Sequence, residues 1–283
     1  MRKFFLFLLA APAFAQFVDS SHHKLSFLVP ELYGPQGLKL PSTTTHNAHF
    51  DSGFQANFGP FNTAIASQLT SLPLPSPASG FIFTLDPALG VPTRTTQSFG
   101  PIFAERAETL GKGKFVAGFN NQFFRFKTID GIDLRKFPAV FEHSETADLD
   151  FKRDIITTQN FFDVAIDQHT VFFTYGLHDR VDLSIAAPFV TARLGAVSNA
   201  TIQRLGTGSI PEKVGAHYFN DASGGQSTQK QFAANGTASG LGDVTLRVKG
   251  TILQTSSIWI AGGADLRMPT GDEYDFWARA PSE

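Results

Sequence analysis

The sequence predicts an all-β fold, an antiparallel barrel of the kind that crosses a membrane with its strands. Three observations predict it. Two hairpins each gather their apolar side chains on one face, the chain opens with a cleavable export signal, and no apolar run is long enough for a spanning helix.

Residues 1–15 carry a basic start at Arg2-Lys3, an apolar run at 4–11 and a small-residue cut site at Ala13-Phe14-Ala15, so the mature chain is expected to begin at Gln16. Residues 16–113 are rich in Pro, Ser, Thr and Gly. They are expected to form an irregular segment, either periplasmic or plugging a lumen. A short helix is predicted at 61–72, with Ile65 and Leu69 on one face and Pro73, Pro75 and Pro77 ending it. The barrel portion is expected to occupy 114–283. Its first strand, 114–127, has an undecided facing: Phe115, Ala117, Phe119 and Phe123 favour odd positions, whereas Phe124 and Phe126 break the alternation. Residues 128–157 are polar, with Asp133, Glu142, Asp150 and Asp154 among their acids, and 191–240 are thick with Gly, Ser, Thr, Asn and Gln; both are expected to be long loops.

The first clear hairpin spans 158–190. Val171, Phe173, Tyr175 and Leu177 alternate up to His178-Asp179-Arg180, and Val181, Leu183, Ile185 and Ala187 continue beyond it. Side chains alternate across a strand, so pairing about Asp179 puts all eight on one face and Thr174, Gly176, Asp182, Ser184 and Ala186 on the other. The second hairpin, 241–268, repeats this. Val244, Leu246, Val248, Ile252, Ile258, Ile260, Ala264 and Leu266 form an apolar face; Asp243, Thr245, Arg247, Lys249, Asp265 and Arg267 form a charged one. With Ile252 opposite Ile258, Asp243 faces Arg267 and Arg247 lies diagonal to Asp265. In a barrel these charges line water, because arginine or lysine on lipid costs about 2–4 kcal/mol at the midplane. Asp243, Arg247, Lys249, Asp265 and Arg267 are therefore the candidate lumen-facing binding residues, either a structural ladder or the groups that set what a pore passes.

If the short turns at 178–180 and 254–257 share one side, both long segments fall on the other, as in outer-membrane barrels with short periplasmic turns. The count of about five strands is odd, and a closed bacterial barrel needs an even number. The chain is thus expected to be the N-terminal portion of a barrel, with an open edge at 258–268.

Four phrases resemble outer-membrane transporter barrels grouped as the meta-pathway of phenol degradation family. They are Ser98-Phe99-Gly100-Pro101-Ile102-Phe103-Ala104-Glu105-Arg106-Ala107 leading into Gly111-Lys112-Gly113-Lys114-Phe115; Tyr175-Gly176-Leu177-His178-Asp179-Arg180-Val181-Asp182-Leu183; Gly240-Leu241-Gly242-Asp243-Val244-Thr245-Leu246; and Leu266-Arg267-Met268-Pro269-Thr270-Gly271-Asp272. The resemblance implies an outer-membrane location, outer-membrane lipid as a partner, and passage of small, aromatic or apolar solutes. It brings no catalytic residues.

Other chemistry finds little support. Ser-x-x-Lys at Ser21–Lys24 and Ser227–Lys230 lacks companion motifs, so no enzyme is expected. His22-His23 lacks a third ligand, Asp272, Glu273 and Asp275 miss the calcium-loop spacing, and Gly206-x-Gly208 and Gly240-x-Gly242 lack the third glycine of a dinucleotide loop; no metal or cofactor is expected. Cysteine is absent, which excludes disulfides and thiolate sites. A net charge of −2 without a basic run argues against nucleic acid. Mean hydropathy of −0.04 suits a barrel, half of whose residues face water. Thirty phenylalanines against four tyrosines and two tryptophans depart from the usual interfacial girdle. The alternatives are a secreted soluble β-sandwich that binds a ligand through the same faces packed in a core, and a non-conducting structural barrel.

Overall fold

The computed structural model describes residues 107–129, 131–143, 149–221 and 223–275, and, before these, 24–29, 31–33, 38, 40, 41, 50, 51, 65, 81–85 and 92–98. The expected export signal at 1–15, His22-His23 and the helix expected at 61–72, apart from Ile65, lie outside the described residues. In chain order the strands are β1 (Phe50–Asp51), β2 (Phe81–Leu85), β3 (Pro92–Ser98), β4 (Lys114–Phe126), β5 (Thr128–Ile129), β6 (Ile132–Asp133), β7 (Phe137–His143), β8 (Ile155–His178), β9 (Val181–Gln203), β10 (Phe219–Asn220), β11 (Gln226–Ser227), β12 (Gln229–Leu241), β13 (Thr245–Gln254) and β14 (Trp259–Arg267). Single-turn helices α1 (Leu25–Leu28) and α2 (Leu149–Lys152) and a 3-10 turn at Glu273–Asp275 complete them.

The fold is all-β and antiparallel. Ten strands make one sheet in the order β3, β2, β4, β8, β9, β13, β14; β7 flanks β8 and carries β1 on its other side, and β12 flanks β9. The sheet is built on the β8–β9 hairpin, whose arms of 24 and 23 residues pair from Ile155↔Gln203 to His178↔Val181. At its turn end the hairpin is flanked by β4 and β13, and at its far end by β7 and β12. Among the described residues the sheet does not close into a barrel: β3 and β14 end the path of paired strands.

Several sequence expectations are corrected here. The count of about five strands misses half of the sheet. Polar, small-residue composition concealed strands within 191–240, where β9 runs on to Gln203 and β12 pairs along it, and β7 lies within 128–157. Glycine and threonine suffice for a strand when a long neighbour supplies the ladder, as β9 does for β12, because sheet pairing overrides intrinsic preference. The facing of β4 resolves: its odd positions from Ala117 to Arg125 are exposed, and Phe124 and Phe126 turn inward against the core.

The β13–β14 register is displaced from the predicted one. Arg247 lies directly opposite Asp265 rather than diagonal to it, and Arg267 faces Thr245 rather than Asp243. A one-residue bulge between Thr251 and Leu253 separates this register from that of the two pairs nearest the turn. Parity is kept from Thr245 to Thr251, so the charged and apolar faces stay separate there.

The two faces of the sheet differ along its length. At the far end the covered face is apolar, with Ile156, Phe162, Val164, Ile166, Leu194 and Ile202 buried. Residues from the N-terminal segment close this core: Leu25, Val29, Tyr33, Leu38, Leu40, Phe50 and Ile65 are all buried. Tyr33 pins the segment, sharing a hydrogen bond with Ser198 Oγ at 2.7 Å and donating to Asn160 Oδ1 at 3.2 Å. Gly236 permits the approach, since a Cβ there would sit 2.7 Å from Leu25 Cδ2. The described part of the lead-in is therefore packed on the sheet, not loosely attached.

Candidate functional site

At the turn end the covered face is largely polar, around a small apolar cluster of Leu110, Val116 and Phe172. Asp182, Ser184, Thr174, Thr245, Lys249 and Thr251 are buried there, and Thr174 Oγ1 donates to Ser184 Oγ at 2.9 Å. Residues 107–111 are laid across this face and held by it. Asp182 accepts the Leu110 N–H on both oxygens at 3.0 Å, Lys249 Nζ donates to the Glu108 carbonyl at 2.8 Å, and Thr251 Oγ1 donates to the Ala107 carbonyl at 2.8 Å. Lys249 Nζ also lies 3.8 Å from Asp182 Oδ2. The charge-assisted bonds compensate the desolvation that these buried ions would otherwise suffer.

Two glycines make the crossing possible. Gly111 adopts φ 87° and Gly113 φ 78°, a left-handed region that penalises other residues, and the Gly113 N–H donates to the Gly176 carbonyl at 2.8 Å. Gly176 has no room for a side chain: a Cβ would sit 2.0 Å from the Gly111 carbonyl oxygen. Gly176→Ala should displace residues 107–113 at a cost of about 1–3 kcal/mol. Faster protease cleavage within 107–113, with the rest of the sheet unchanged, is the expected readout.

Beside this crossing lies an open groove of about 570 Å³ lined by Ala107, Arg247, Lys249, Trp259, Gly263 and Asp265, among others. Arg247 forks onto Asp265, Nε to Oδ1 at 2.6 Å and Nη2 to Oδ2 at 2.7 Å. Of the five predicted lumen-facing residues, Arg247, Lys249 and Asp265 thus meet at one groove. Asp243 is buried and accepts the Gly271 N–H at 3.1 Å, fastening the chain after β14, and Arg267 stands opposite Thr245. Acids and bases alternate on this face, so the groove offers paired polar groups and one aromatic ring rather than a field of one sign.

Asp272 and Asp275 converge on one lysine. Both accept from Lys24 Nζ, Asp275 at 2.8 Å, and Asp275 also accepts the Leu25 N–H at 3.1 Å. This clasp ties α1 to the chain beyond β14. Hydrogen bonds to Asp272 and then Asp275 hold the lysine above its usual pKa range, against the opposing effect of burial. Its contribution is therefore complete below the free lysine value and lost as pH rises through the raised one. Lys24→Met should weaken the clasp by about 1 kcal/mol, given the half-exposed lysine, and speed hydrogen exchange at the Leu25 N–H.

A second buried cluster escaped the sequence. Asp154, just before β8, accepts N–H groups of Gly206 and Thr207 at 2.8 and 3.1 Å and the Thr207 hydroxyl at 2.6 Å, and pairs with His217 Nδ1 at 2.7 Å. Both side chains of the Asp154–His217 pair are 0% exposed. Burial alone would raise the Asp154 carboxyl; the bonds from His217, Thr207 and the two backbone groups outweigh it and hold the carboxyl below its usual range. The cluster staples the 204–217 connection to the sheet. Its members lie far apart in sequence without periodicity, and no signal marked them.

No family model, no curated protein and no solved structure matches the chain.

Proposed function

We propose that this chain forms a wall of an outer-membrane β-barrel of pore or transporter type, passing small apolar or aromatic molecules. One observation carries the reading: at the turn end the sheet is inside out. Phe173, Tyr175, Leu183, Ile185, Val248 and Leu266 stand between 40% and 63% exposed, while Thr174, Asp182, Ser184, Thr245 and Lys249 are buried on the opposite face. A water-soluble sheet has the reverse arrangement, and a transmembrane barrel has this one. The soluble sandwich would need these apolar faces packed together, and they are open. The groove at Arg247 and Asp265 supplies polar groups for a solute path, and the family resemblance supplies the solute class. The export signal accounts for delivery to the outer membrane.

Among the described residues β14 pairs with β13 alone, and its other edge needs a further strand before such a wall could seal, because lipid cannot satisfy backbone donors and acceptors. Fractionation tests the reading. The mature chain should sediment with outer membranes, resist extraction by urea and require detergent to remain monodisperse. Recovery as a detergent-free, monodisperse monomer would refute it.

A further inference from the structure

We infer that only the turn-end portion of the sheet lies in the bilayer, bounded by a rim at His169, Thr191 and Arg193, and that the far end stands outside as a water-exposed sheet packed on residues of the N-terminal segment. The inference rests on the membrane reading and adds to it where the membrane stops.

Both faces of the β8–β9 hairpin change character at the same level. On the open face, Val171 through Leu177 and Val181 through Phe189 supply apolar side chains at every second position. Beyond this the same face is mostly polar, carrying His169, Asp167, Asp163, Thr191, Arg193 and Asn199 with Phe161, Ala165 and Val197 among them. On the covered face the change runs the other way. Thr174, Asp182 and Ser184 at the turn end give way, past Gln168 and Thr170, to Ile166, Val164, Phe162, Leu194 and Ala196. The turn-end portion is apolar outside and largely polar within, around the small cluster of Leu110, Val116 and Phe172, and the far end is mostly polar outside and largely apolar within, with Thr158, Asn160 and Ser198 set among its apolar residues. A sheet wholly in lipid or wholly in water would have no reason to invert both faces at one level.

The height of the band fits lipid. From Val181 to Phe189 is about nine residues, close to the 9–11 that carry a tilted strand across a bilayer. The band also slants, from Phe119 and Phe115 on β4 to Ile252 and Ile258 at the tip of β13–β14, as strand tilt requires. Since β8 has 24 residues, more than half of it extends past the band.

Ion pairs place the rim. On the open face just beyond the band, Arg125 forks onto Asp163 at 3.2 and 3.0 Å, and Arg193 meets Asp167 at 2.6 Å. These charges need water or headgroups beside them. At the rim itself the His169 ring is stacked on Phe119 at 6.1 Å between centroids and edge-on to Phe123 at 6.2 Å, with Nδ1 2.6 Å from Asn121 Oδ1. This aromatic group with a polar tip occupies the position that tyrosine or tryptophan takes in other membrane girdles. The whole open face of β12 beyond Leu241, from Ser239 to Gln231, is polar or small, which puts that strand outside.

The absence of cysteine allows a direct test. Single substitutions Phe173→Cys, Ile185→Cys and Val248→Cys within the band, and Phe161→Cys, Asn199→Cys and Thr237→Cys beyond the rim, are nitroxide-labelled in the full chain. The protein is reconstituted in phosphatidylethanolamine–phosphatidylglycerol vesicles, and collisional relaxation by oxygen is compared with that by a water-soluble nickel chelate. All six sites are on the open face, so labelling leaves the core intact, and retained β circular dichroism checks the fold. The expected result is oxygen-dominated relaxation at 173, 185 and 248 and nickel-dominated relaxation at 161, 199 and 237. Phe161 is the decisive position, being apolar and 44% exposed yet past the rim. Lipid exposure at 161, 199 and 237 as well would overturn the rim and leave the membrane reading standing. Water exposure at all six would overturn both.

Discussion

Asp154→Ala should destabilise the far end of the sheet by about 3–5 kcal/mol, the cost of removing one partner from a buried, charge-bonded cluster. The substitution leaves the N–H groups of Gly206 and Thr207, the Thr207 hydroxyl and His217 Nδ1 without their shared acceptor. Denaturant unfolding in detergent, read as loss of protection in 204–217, measures it. Asp154→Asn should lose less, since the amide keeps one acceptor oxygen. The pH dependence follows from the depressed carboxyl of Asp154. Stability from this group is complete above the free carboxyl value and is lost as pH falls through the lower folded value, so acid should release the 204–217 connection and alkali should not. A connection indifferent to acid and to Asp154→Ala would refute the staple.

Ile185→Arg should reduce stable insertion into lipid by about 2–4 kcal/mol, the depth-dependent cost of arginine on the lipid face of a barrel. Ile185 is 42% exposed and lies opposite Phe173 in the middle of the apolar band. Phe161→Arg, on the same face but past the rim, should cost little. The comparison is made by the fraction of chain that resists urea extraction from vesicles at equal loading. Equal effects at both positions would contradict a bounded lipid band, and no effect at either would contradict the membrane reading.

The two hairpins were legible because their period is local. Alternation at 171–187 and 244–266 assigns faces without knowledge of any neighbour, and the structure keeps those faces. The register at Arg247 and Asp265 was not legible, since alternation fixes the face of each residue and not its partner, and the one-residue bulge between Thr251 and Leu253 sets the pairing from outside that pattern. The same limit applied to the site. Arg247, Lys249 and Asp265 could be assigned to one face, but their convergence with 107–110 required a segment more than a hundred residues earlier to cross that face.

The sequence by itself determined the all-β class, the facing of the two hairpins and the side of the sheet on which each charge falls, because side-chain alternation is a property of a single strand. Only the tertiary structure decided the number of strands, the docking of Tyr33 and the N-terminal segment, the Asp154 staple and the level at which the faces invert. Those depend on long-range partners: strands such as β12, with little apolar periodicity, exist because β9 supplies their hydrogen bonds, and a buried carboxylate is tolerated only where distant donors converge on it.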